Sequence, residues 1–250
     1  MMKISQSSSN AVLSNDPSSK ELSAILEPLK ASERILQLKE IYGSRLVASS
    51  SFGVQASVML HLIKEHAPEI PIIFVDSGYC FLETYQFAQS FIDDWGLDIR
   101  VFNPAISAAR QEALYGKLWQ EGEEGNKKYA LLNKIEPMNR ALSEIGGDVW
   151  LSGLRRSQSS TRAHRAYAEQ QSSTMKVYPI LDWADAQVVS CFHENDLPKH
   201  PLETEGYLTM GDWHSTRKPQ AGETAEETRF GGQKYECGLH EESGQNDFQI

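Results

Sequence analysis

One cysteine of this 250-residue sequence has surroundings that suit a nucleophile better than a core residue. Cys237 lies in KYECGLH, where its neighbours are polar residues or glycine and no hydrophobic period runs through the segment. A lone cysteine is more often a small buried hydrophobe, an interpretation that fits Cys191 within VVSCF and also Cys80. Cationic neighbours stabilise a thiolate. We therefore predict that Cys237 carries chemistry and that Lys234 and His240 support its thiolate.

A serine-rich loop is the first of three polar loops that follow predicted strands. It reads SSSFG and lies between RLVAS, a short buried strand, and a segment of helical periodicity. Small hydroxyl residues and a glycine there let backbone N–H groups face an anion at the positive end of the helix. An ordinary turn with a serine cap has the same composition, and both the P-loop lysine and the GxGxxG pattern are missing. The candidate anion-binding residues are Ser49, Ser50, Ser51, Phe52 and Gly53.

The second polar loop follows the next predicted strand and reads VDSGY. Ligands of open α/β sheets bind at the carboxyl edge of the strands, where this loop and the serine loop would meet. Two such loops favour a nucleotide pocket that includes Asp76 and Gly78. The alternative is a plain turn in which Asp76 caps the following helix.

The third polar loop, GLRRSQSSTR, is basic and follows another predicted strand. Arginine forks and hydroxyls suit phosphate or sulfate oxygens. The segment 145–180 carries five lysines and arginines against two carboxylates, a net charge of +3 in a chain whose net charge is −10. Most charge runs are solvated loops, but a basic run at a strand end of an acidic protein favours an anion site that contains Arg155, Arg156 and Arg162.

Composition and cysteine spacing exclude several classes of protein. The chain is 40% hydrophobic and 23% charged, a globular balance that excludes a collagenous, coiled-coil or wholly disordered protein. No apolar run approaches the roughly 20 residues that span a bilayer, and the polar start lacks a secretory signal, so we expect a cytoplasmic protein without a membrane partner. Its acidity is unsuited to general nucleic-acid binding. Scattered cysteines and histidines without ligand spacing predict no metal.

Strand-like and helix-like segments alternate along the chain. The predicted strands are 45–49, 71–75, 98–102, 148–152 and 176–180, and the predicted helices are 22–42 (broken near Pro28), 54–66, 81–95, 106–119, 127–145 (interrupted at Pro137) and 184–194. This alternation predicts an α/β fold with a mainly parallel sheet and helices on both faces. We predict a disordered N-terminus over 1–20, a nucleotide-binding α/β domain over 21–215 and an irregular, catalytic C-terminal tail over 216–250.

Together these motifs resemble those of the thioredoxin-dependent phosphoadenylyl sulfate (PAPS) reductases of assimilatory sulfate reduction. The resemblance spans about residues 40–241 and rests on SSSFGVQAS, VDSGYCFLETY, YGKLW, NKIEPMNRAL, GLRRSQSSTR, HPL, GDWHSTRK, EETRF and ECGLH. The combination of ECGLH with the serine-rich loop is specific to that family, whereas either motif alone is not. The resemblance implies an adenine nucleotide α-hydrolase-like fold and a cluster-free enzyme that reduces PAPS to sulfite and adenosine 3′,5′-bisphosphate.

The resemblance also implies roles for particular residues. Cys237 falls on the catalytic cysteine, residues 49–53 fall on the modified pyrophosphate loop, and Asp76 with Gly78 falls on the second nucleotide-binding turn. The family's basic residues fall on Arg155, Arg156, Arg162, Arg217, Lys218 and Arg229. The reaction would pass through an S-sulfocysteine on Cys237, with thioredoxin or glutaredoxin as the external electron donor. The family resemblance further implies a homodimer and no bound cofactor.

Three alternatives stay open at this point. Adenylyl sulfate (APS) reductases use the same chemistry but generally carry a cluster on a CC…CxxC set, which this chain lacks. ATP pyrophosphatases have loops like SGGxDS, whereas SSSFGVQAS has no aspartate to organise Mg²⁺. A nucleotide-binding module with a structural tail is the third.

The sequence departs from the family pattern at two positions. Ser77 stands where threonine is common, and a hydroxyl is retained there. Tyr235 stands where a second basic residue is frequent, so thiolate stabilisation would depend more on Lys234, His240 or the arginines.

Overall fold

The computed structural model of the chain describes residues 16–171 and 173–229. Its α-helices are α1 (Ser19–Leu26), α2 (Ala31–Tyr42), α3 (Ala56–His66), α4 (Leu82–Asp93), α5 (Ala108–Tyr115), α6 (Gly122–Ala130), α7 (Glu136–Ile145), α8 (Asp185–Glu194) and α9 (Pro201–Thr204). Its strands are β1 (Leu46–Ser49), β2 (Ile72–Val75), β3 (Ile99–Phe102), β4 (Val149–Ser152), β5 (Ala168–Gln171) and β6 (Thr174–Val177).

The six strands form one sheet in the order β3-β2-β1-β4-β6-β5. Neighbouring strands are parallel except for β5 and β6, which pair antiparallel. The chain builds outward from β1 through β2 to β3 and then crosses back to place β4 on the other side of β1. The strand order therefore reverses between β1 and β4, and a crevice opens there at the carboxyl ends of the strands.

Alternate residues of the central strands pack against opposite layers of helices. On β1, Leu46 and Ala48 join a large core with α1, α2, α3, α4 and α8, while Val47 joins a smaller core with α7. On β4, Leu151 faces the first layer and Trp150 the second. Successive side chains of a strand point to opposite faces, so burial on both faces explains why these strands are apolar throughout. The predicted mainly parallel sheet with helices on both faces is confirmed.

Several elements differ from the sequence prediction. Helix α1 begins at Ser19, inside the segment 1–20 that was predicted to be disordered, and α9 was not predicted. Strand β5 (AEQQ) was not predicted, because its polar residues carry no strand signal; it forms by pairing at the sheet edge with β6, which covers 174–177 rather than the predicted 176–180. Pro137 does not break the helical run. A π turn at Leu131–Ile135 joins α6 to α7. Pro137 therefore lies in the first turn of α7, where a helix tolerates a residue without an N–H.

Candidate active site

A cavity of about 410 Å³ opens at the carboxyl ends of β1, β2 and β4. Ser49, Val75 and Ser152, the last residues of these strands, all line it. The cavity therefore lies at the point where the strand order reverses, the place where open α/β sheets bind ligands. Its walls come from the serine-rich loop, the arginine loop after β4, the π turn and the segment 208–229.

The serine-rich loop forms the floor of the cavity between β1 and α3. The Trp150 indole N–H donates to Ser49 Oγ over 2.7 Å, and the Phe52 backbone N–H donates to Ser50 Oγ over 3.1 Å. Phe52 has a φ of +50°, a costly conformation for a bulky residue. Its ring is fully buried, with its centroid 4.8 Å from that of Phe74. Core packing thus holds the sharp turn that brings the serines to the cavity.

Four of the five predicted loop residues line the cavity, and the fifth anchors the loop. The lining residues are Ser49, Ser50, Ser51 and Gly53. Phe52 instead packs into the core on the α3 side of the sheet. Helix α3 begins at Ala56, just after the loop. Its positive end is therefore directed toward the same space, which favours an anion there.

Two of the three predicted arginines of the β4 loop line the cavity, held by side chains around it. The Arg155 guanidinium is 2% exposed and donates to Gln55 over 2.6 Å and to Asp185 over 2.8 Å. Arg162 is also buried and donates to Gln158 over 2.6 Å. Fixed guanidinium groups are preorganised to bind oxyanions.

The third arginine of this loop turns away from the cavity lining. Arg156 donates to the backbone carbonyl of Arg165 over 2.7 Å, and its guanidinium lies 5.3 Å from the ring centroid of Tyr167. These contacts fix the path of the loop between β4 and β5. Arg156 therefore supports the arginine loop from outside the cavity.

A buried ion pair forms part of the opposite wall. Lys134, in the π turn, lies 2.6 Å from Asp212, and both side chains are nearly inaccessible. Ser77 Oγ donates to the same carboxylate over 2.5 Å. Burial by itself would raise the pKa of Asp212, but the Lys134 ammonium and the Ser77 hydrogen bond outweigh it and hold that pKa below its usual value. The pair fastens the π turn to the segment after α9.

Arg229 is the innermost of the predicted basic residues that precede the cysteine segment. It lines the cavity, is buried, and donates to the carbonyl of Met210 over 2.6 Å. A Cβ at Gly211 would overlap the Arg229 guanidinium, so a larger residue there would displace the arginine from this position. Arg217 instead pairs with Glu223 at 2.5 Å, and Lys218 lies 3.2 Å from Glu205, both on the surface outside the lining.

The predicted turn at Asp76 and Gly78 lies beside the cavity lining. Asp76 accepts hydrogen bonds from the Gly78 backbone N–H (2.8 Å), the Tyr85 hydroxyl (2.7 Å) and the Asn103 amide (2.8 Å). Gly78 has a φ of +79°, and a Cβ there would lie 3.2 Å from Ala108. This turn carries Ser77 and Cys80 into the cavity wall.

Two of the three cysteines, Cys80 and Cys191, lie among the described residues. Cys191 is buried on α8, as expected for a core residue. Cys80 is half-buried and lines the cavity; burial, reinforced by the carboxylates of Asp212 and Asp76, raises the pKa of its thiol to about 12. A thiol with that pKa is protonated near neutral pH and is a poor nucleophile. Cys237, Lys234 and His240 lie outside the described residues.

Several cavity residues were not singled out from the sequence. They are Gln55, Lys134, Gln158 and Asp212. All four lie within motifs on which the family resemblance rests, so considering every polar residue of those motifs would have found them. The pairing of Lys134 with Asp212 gave no local signal, because it depends on two distant segments meeting.

In residues 16–171 and 173–229, no group of three or more histidine, cysteine, aspartate or glutamate side chains is arranged to hold a metal ion. No helix within those ranges is both long and apolar enough to cross a membrane.

A nucleotide-sized cavity with a serine loop and fixed arginines at the reversal of a parallel sheet defines a protein of the adenine nucleotide α-hydrolase-like class. The solved structure of FMN adenylyltransferase from Candida glabrata shares the fold, with a TM-score of 0.55 at 13% identity over 84% of this chain and 72% of that one. Residues 45–218 match the family model described as the phosphoadenosine phosphosulfate reductase domain. The chain belongs to the phosphoadenosine phosphosulfate reductase family.

Individual relatives agree with the family match. The phosphoadenosine 5′-phosphosulfate reductase of Photobacterium profundum is 48% identical over 227 residues, which cover 91% of this chain and 90% of that protein. The Salmonella choleraesuis protein of the same name is 48% identical over 88% of this chain and 91% of its own length. The crystal structure of PAPS reductase from Candida auris, a phosphate complex, has a TM-score of 0.70 at 27% identity, covering 82% of this chain and all of that one.

Proposed function

We propose that this protein reduces PAPS to sulfite and adenosine 3′,5′-bisphosphate in assimilatory sulfate reduction, with Cys237 as the nucleophile. Family membership supports the reaction, since the relatives reported above bear the name of this reductase. The observation that carries the proposal is the cavity, because an acidic chain gathers Lys134, Arg155, Arg162 and Arg229 around it. A substrate with several negative charges requires such a cluster.

The cavity-lining members of the predicted site are assigned to substrate contact. They are Ser49, Ser50, Ser51, Gly53, Arg155, Arg162 and Arg229, to which Lys134 is added. Phe52, Asp76, Gly78 and Arg156 are assigned to holding the loops that carry them, and Arg217 with Lys218 to holding the segment that leads to Cys237. Lys234 and His240 are assigned to stabilising the Cys237 thiolate.

The chemistry begins with a soft nucleophile and an electrophilic sulfur. The Cys237 thiolate forms a bond to the sulfate sulfur of PAPS, while the bond from that sulfur to the 5′-phosphate oxygen breaks. The leaving oxygen keeps the electron pair, so adenosine 3′,5′-bisphosphate departs and S-sulfocysteine remains. Cations around the cavity stabilise the negative charge that accumulates during attack of one anion on another.

An external dithiol completes the reaction. One of its thiolates attacks the Cys237 sulfur and expels sulfite with the electron pair of the sulfur–sulfur bond. Its second thiol then resolves the mixed disulfide, so two thiols are oxidised while the sulfate sulfur gains two electrons. Thioredoxin or glutaredoxin is proposed as this donor. A homodimer and the absence of a bound cofactor belong to the same proposal and rest on the family resemblance. A cytoplasmic location is also proposed, from the composition of the sequence.

Sulfite release from PAPS, APS and ATP with reduced thioredoxin tests this function. We expect release from PAPS and none from ATP. PAPS should exceed APS in kcat/KM by about 10²-fold or more, because two charge-assisted contacts to the 3′-phosphate contribute roughly 1.5–3 kcal/mol each. Equal efficiency on APS would overturn the substrate assignment. Absence of sulfite from both sulfonucleotides would overturn the function.

A further inference from the structure

A row of side chains crosses four strands beneath the serine-rich loop. The strand register places Val47 of β1 opposite Trp150 of β4, Trp150 opposite Lys176 of β6, and Lys176 opposite Glu169 of β5. Ser49 follows Val47 by two residues and so lies on the same face, one step closer to the cavity. The row thus leads from the sheet edge to the cavity floor.

The indole of Trp150 reaches along the strand to Ser49. Its N–H donates to Ser49 Oγ over 2.7 Å, a short bond between neutral groups. Within residues 16–171 and 173–229 this is the one hydrogen bond recorded for the Ser49 hydroxyl. A serine oxygen that accepts from the indole keeps its own proton for donation elsewhere. Both Ser49 and Trp150 line the cavity, so an acceptor located there is within the reach of that proton.

A buried cation lies over the face of the indole ring. The Lys176 ammonium is 3.8 Å from the ring centroid of Trp150, and the residue is inaccessible to solvent. A cation over an indole face is attracted to its π electrons and is worth more when water is excluded. Because the cation draws electron density from the ring, the N–H becomes a stronger donor, as in any polarised hydrogen-bond chain.

We propose that Trp150 is a positioning residue that directs the Ser49 hydroxyl proton toward an anionic oxygen of the nucleotide substrate, and that Lys176 strengthens this effect. In this role Trp150 acts through Ser49, which makes the contact with the substrate. The inference rests on the proposed function, since it requires an oxyanion in the cavity. It goes beyond that function by giving the loop serine a fixed donor role and by naming the side chain that fixes it.

A purely structural role for Trp150 makes a different prediction. As a packing residue it would affect binding through the fold, and its effect would be the same whether or not residue 49 carries a hydroxyl. As a positioning residue its effect disappears when the hydroxyl is gone. A double-mutant cycle of Trp150→Phe and Ser49→Ala separates these two cases.

The experiment measures the Kd of adenosine 3′,5′-bisphosphate by titration calorimetry, with melting temperatures recorded for every variant. Ser49→Ala should weaken binding about tenfold, the loss expected for one charge-assisted hydrogen bond. Trp150→Phe should weaken it roughly 3-fold to 5-fold in the wild-type background but leave the Ser49→Ala protein unchanged. Trp95→Phe is the matched control, because Trp95 also has a lysine, Lys64, 4.8 Å from its ring centroid but lies away from the cavity.

Equal losses from Trp150→Phe in both backgrounds, or no loss in either, would overturn the positioning role while leaving the proposed function intact. A wild-type protein that neither binds the bisphosphate nor reduces PAPS would overturn both. Should Trp150→Phe fail to fold, the indole N–H signals of the ¹⁵N-tryptophan protein test the hydrogen bond to Ser49 on which the inference depends. One of the five tryptophan resonances should move in Ser49→Ala. If none of them moves, the hydrogen bond and the inference are wrong.

Discussion

The cationic side chains that line the cavity differ in how deeply their carboxylate partners are buried. Arg155 pairs with Asp185, whose side chain is 77% exposed, whereas Lys134 pairs with Asp212, which is almost wholly buried. An exposed carboxylate can exchange its partner for water at little cost, while a buried one cannot. We therefore expect Arg155 to be released readily to a substrate oxyanion and Lys134 to keep its partner when the substrate is bound.

At Arg229 we predict a loss of substrate affinity on removal of the charge. Arg229→Met should raise the KM for PAPS about tenfold or more, because a charge-assisted contact is lost from a buried cavity wall. The KM of Arg229→Lys should lie between those of the wild type and Arg229→Met, since lysine keeps the charge but lacks the planar guanidinium. Steady-state kinetics and melting temperatures measure these effects.

The matched control for Arg229 is an arginine in a surface ion pair. Arg100 lies on β3 and pairs with Asp98 at 2.7 Å, away from the cavity lining. Arg100→Met should leave the KM for PAPS unchanged. A KM unaffected by Arg229→Met would contradict the assignment of Arg229 to the substrate.

His214 gives the protein a specific dependence of stability on pH. Its ring stacks on Trp119 with centroids 4.1 Å apart, and burial lowers its pKa from 6.5 to about 4. Between these two values the unfolded chain binds the proton and the folded chain does not. Stability therefore rises with pH across this window and is lost as the pH falls from about 6.5 toward about 4.

Urea unfolding at several pH values tests this contribution. From about pH 7 to about pH 4.5 the midpoint of the wild type should fall more than that of His214→Phe, which has no proton to bind. His193→Gln, a change at an exposed position of α8, should keep the wild-type slope. Identical slopes for wild type and His214→Phe would show that His214 does not titrate as described.

Among the secondary-structure elements, the clearest signals in the sequence came from strands that are covered on both faces. The apolar runs of β1, β2 and β4 predicted their strands to within one residue, because both faces of these strands are covered. Strand β5 escaped prediction since it is polar and depends on its partner β6. The π turn before Pro137 could not be predicted either, because a proline signal alone does not distinguish a broken helix from a widened one.

The Lys134–Asp212 pair joins two of these elements, and breaking it should be costly. Lys134→Met leaves a buried carboxylate without its cation and should lower the free energy of unfolding by about 3–5 kcal/mol. The double variant Lys134→Met/Asp212→Leu should recover most of this loss, because no buried charge remains. Denaturant unfolding measures both.

A surface ion pair provides the comparison for this prediction. Lys39 lies 2.7 Å from Glu69, but both side chains are about half exposed. Lys39→Met should change the free energy of unfolding by less than about 1 kcal/mol. If Lys134→Met costs no more than Lys39→Met, the pair does not fasten the π turn to the segment after α9.

For the whole molecule, charge distribution was the sequence feature that led to the site. A net charge of −10 with a basic segment at 145–180 predicted an anion site at a strand end, and Arg155 and Arg162 do line the cavity. Which basic residues of that segment face inward could not be predicted, because Arg156 has the same signal as Arg155 and Arg162 but donates to the carbonyl of Arg165. Distant pairings such as that of Lys134 with Asp212 emerge only from the folded chain.

The central claim is that Cys237 takes the sulfonate from PAPS and yields it as sulfite to a dithiol. Incubation with PAPS in the absence of any thiol donor, followed by peptide mass spectrometry, tests it directly. We predict one S-sulfocysteine, on Cys237, that is lost as sulfite when reduced thioredoxin is added. Cys191→Ser should behave as the wild type and Cys237→Ser should form no adduct. Sulfite production by Cys237→Ser, or an adduct on another residue, would contradict the account.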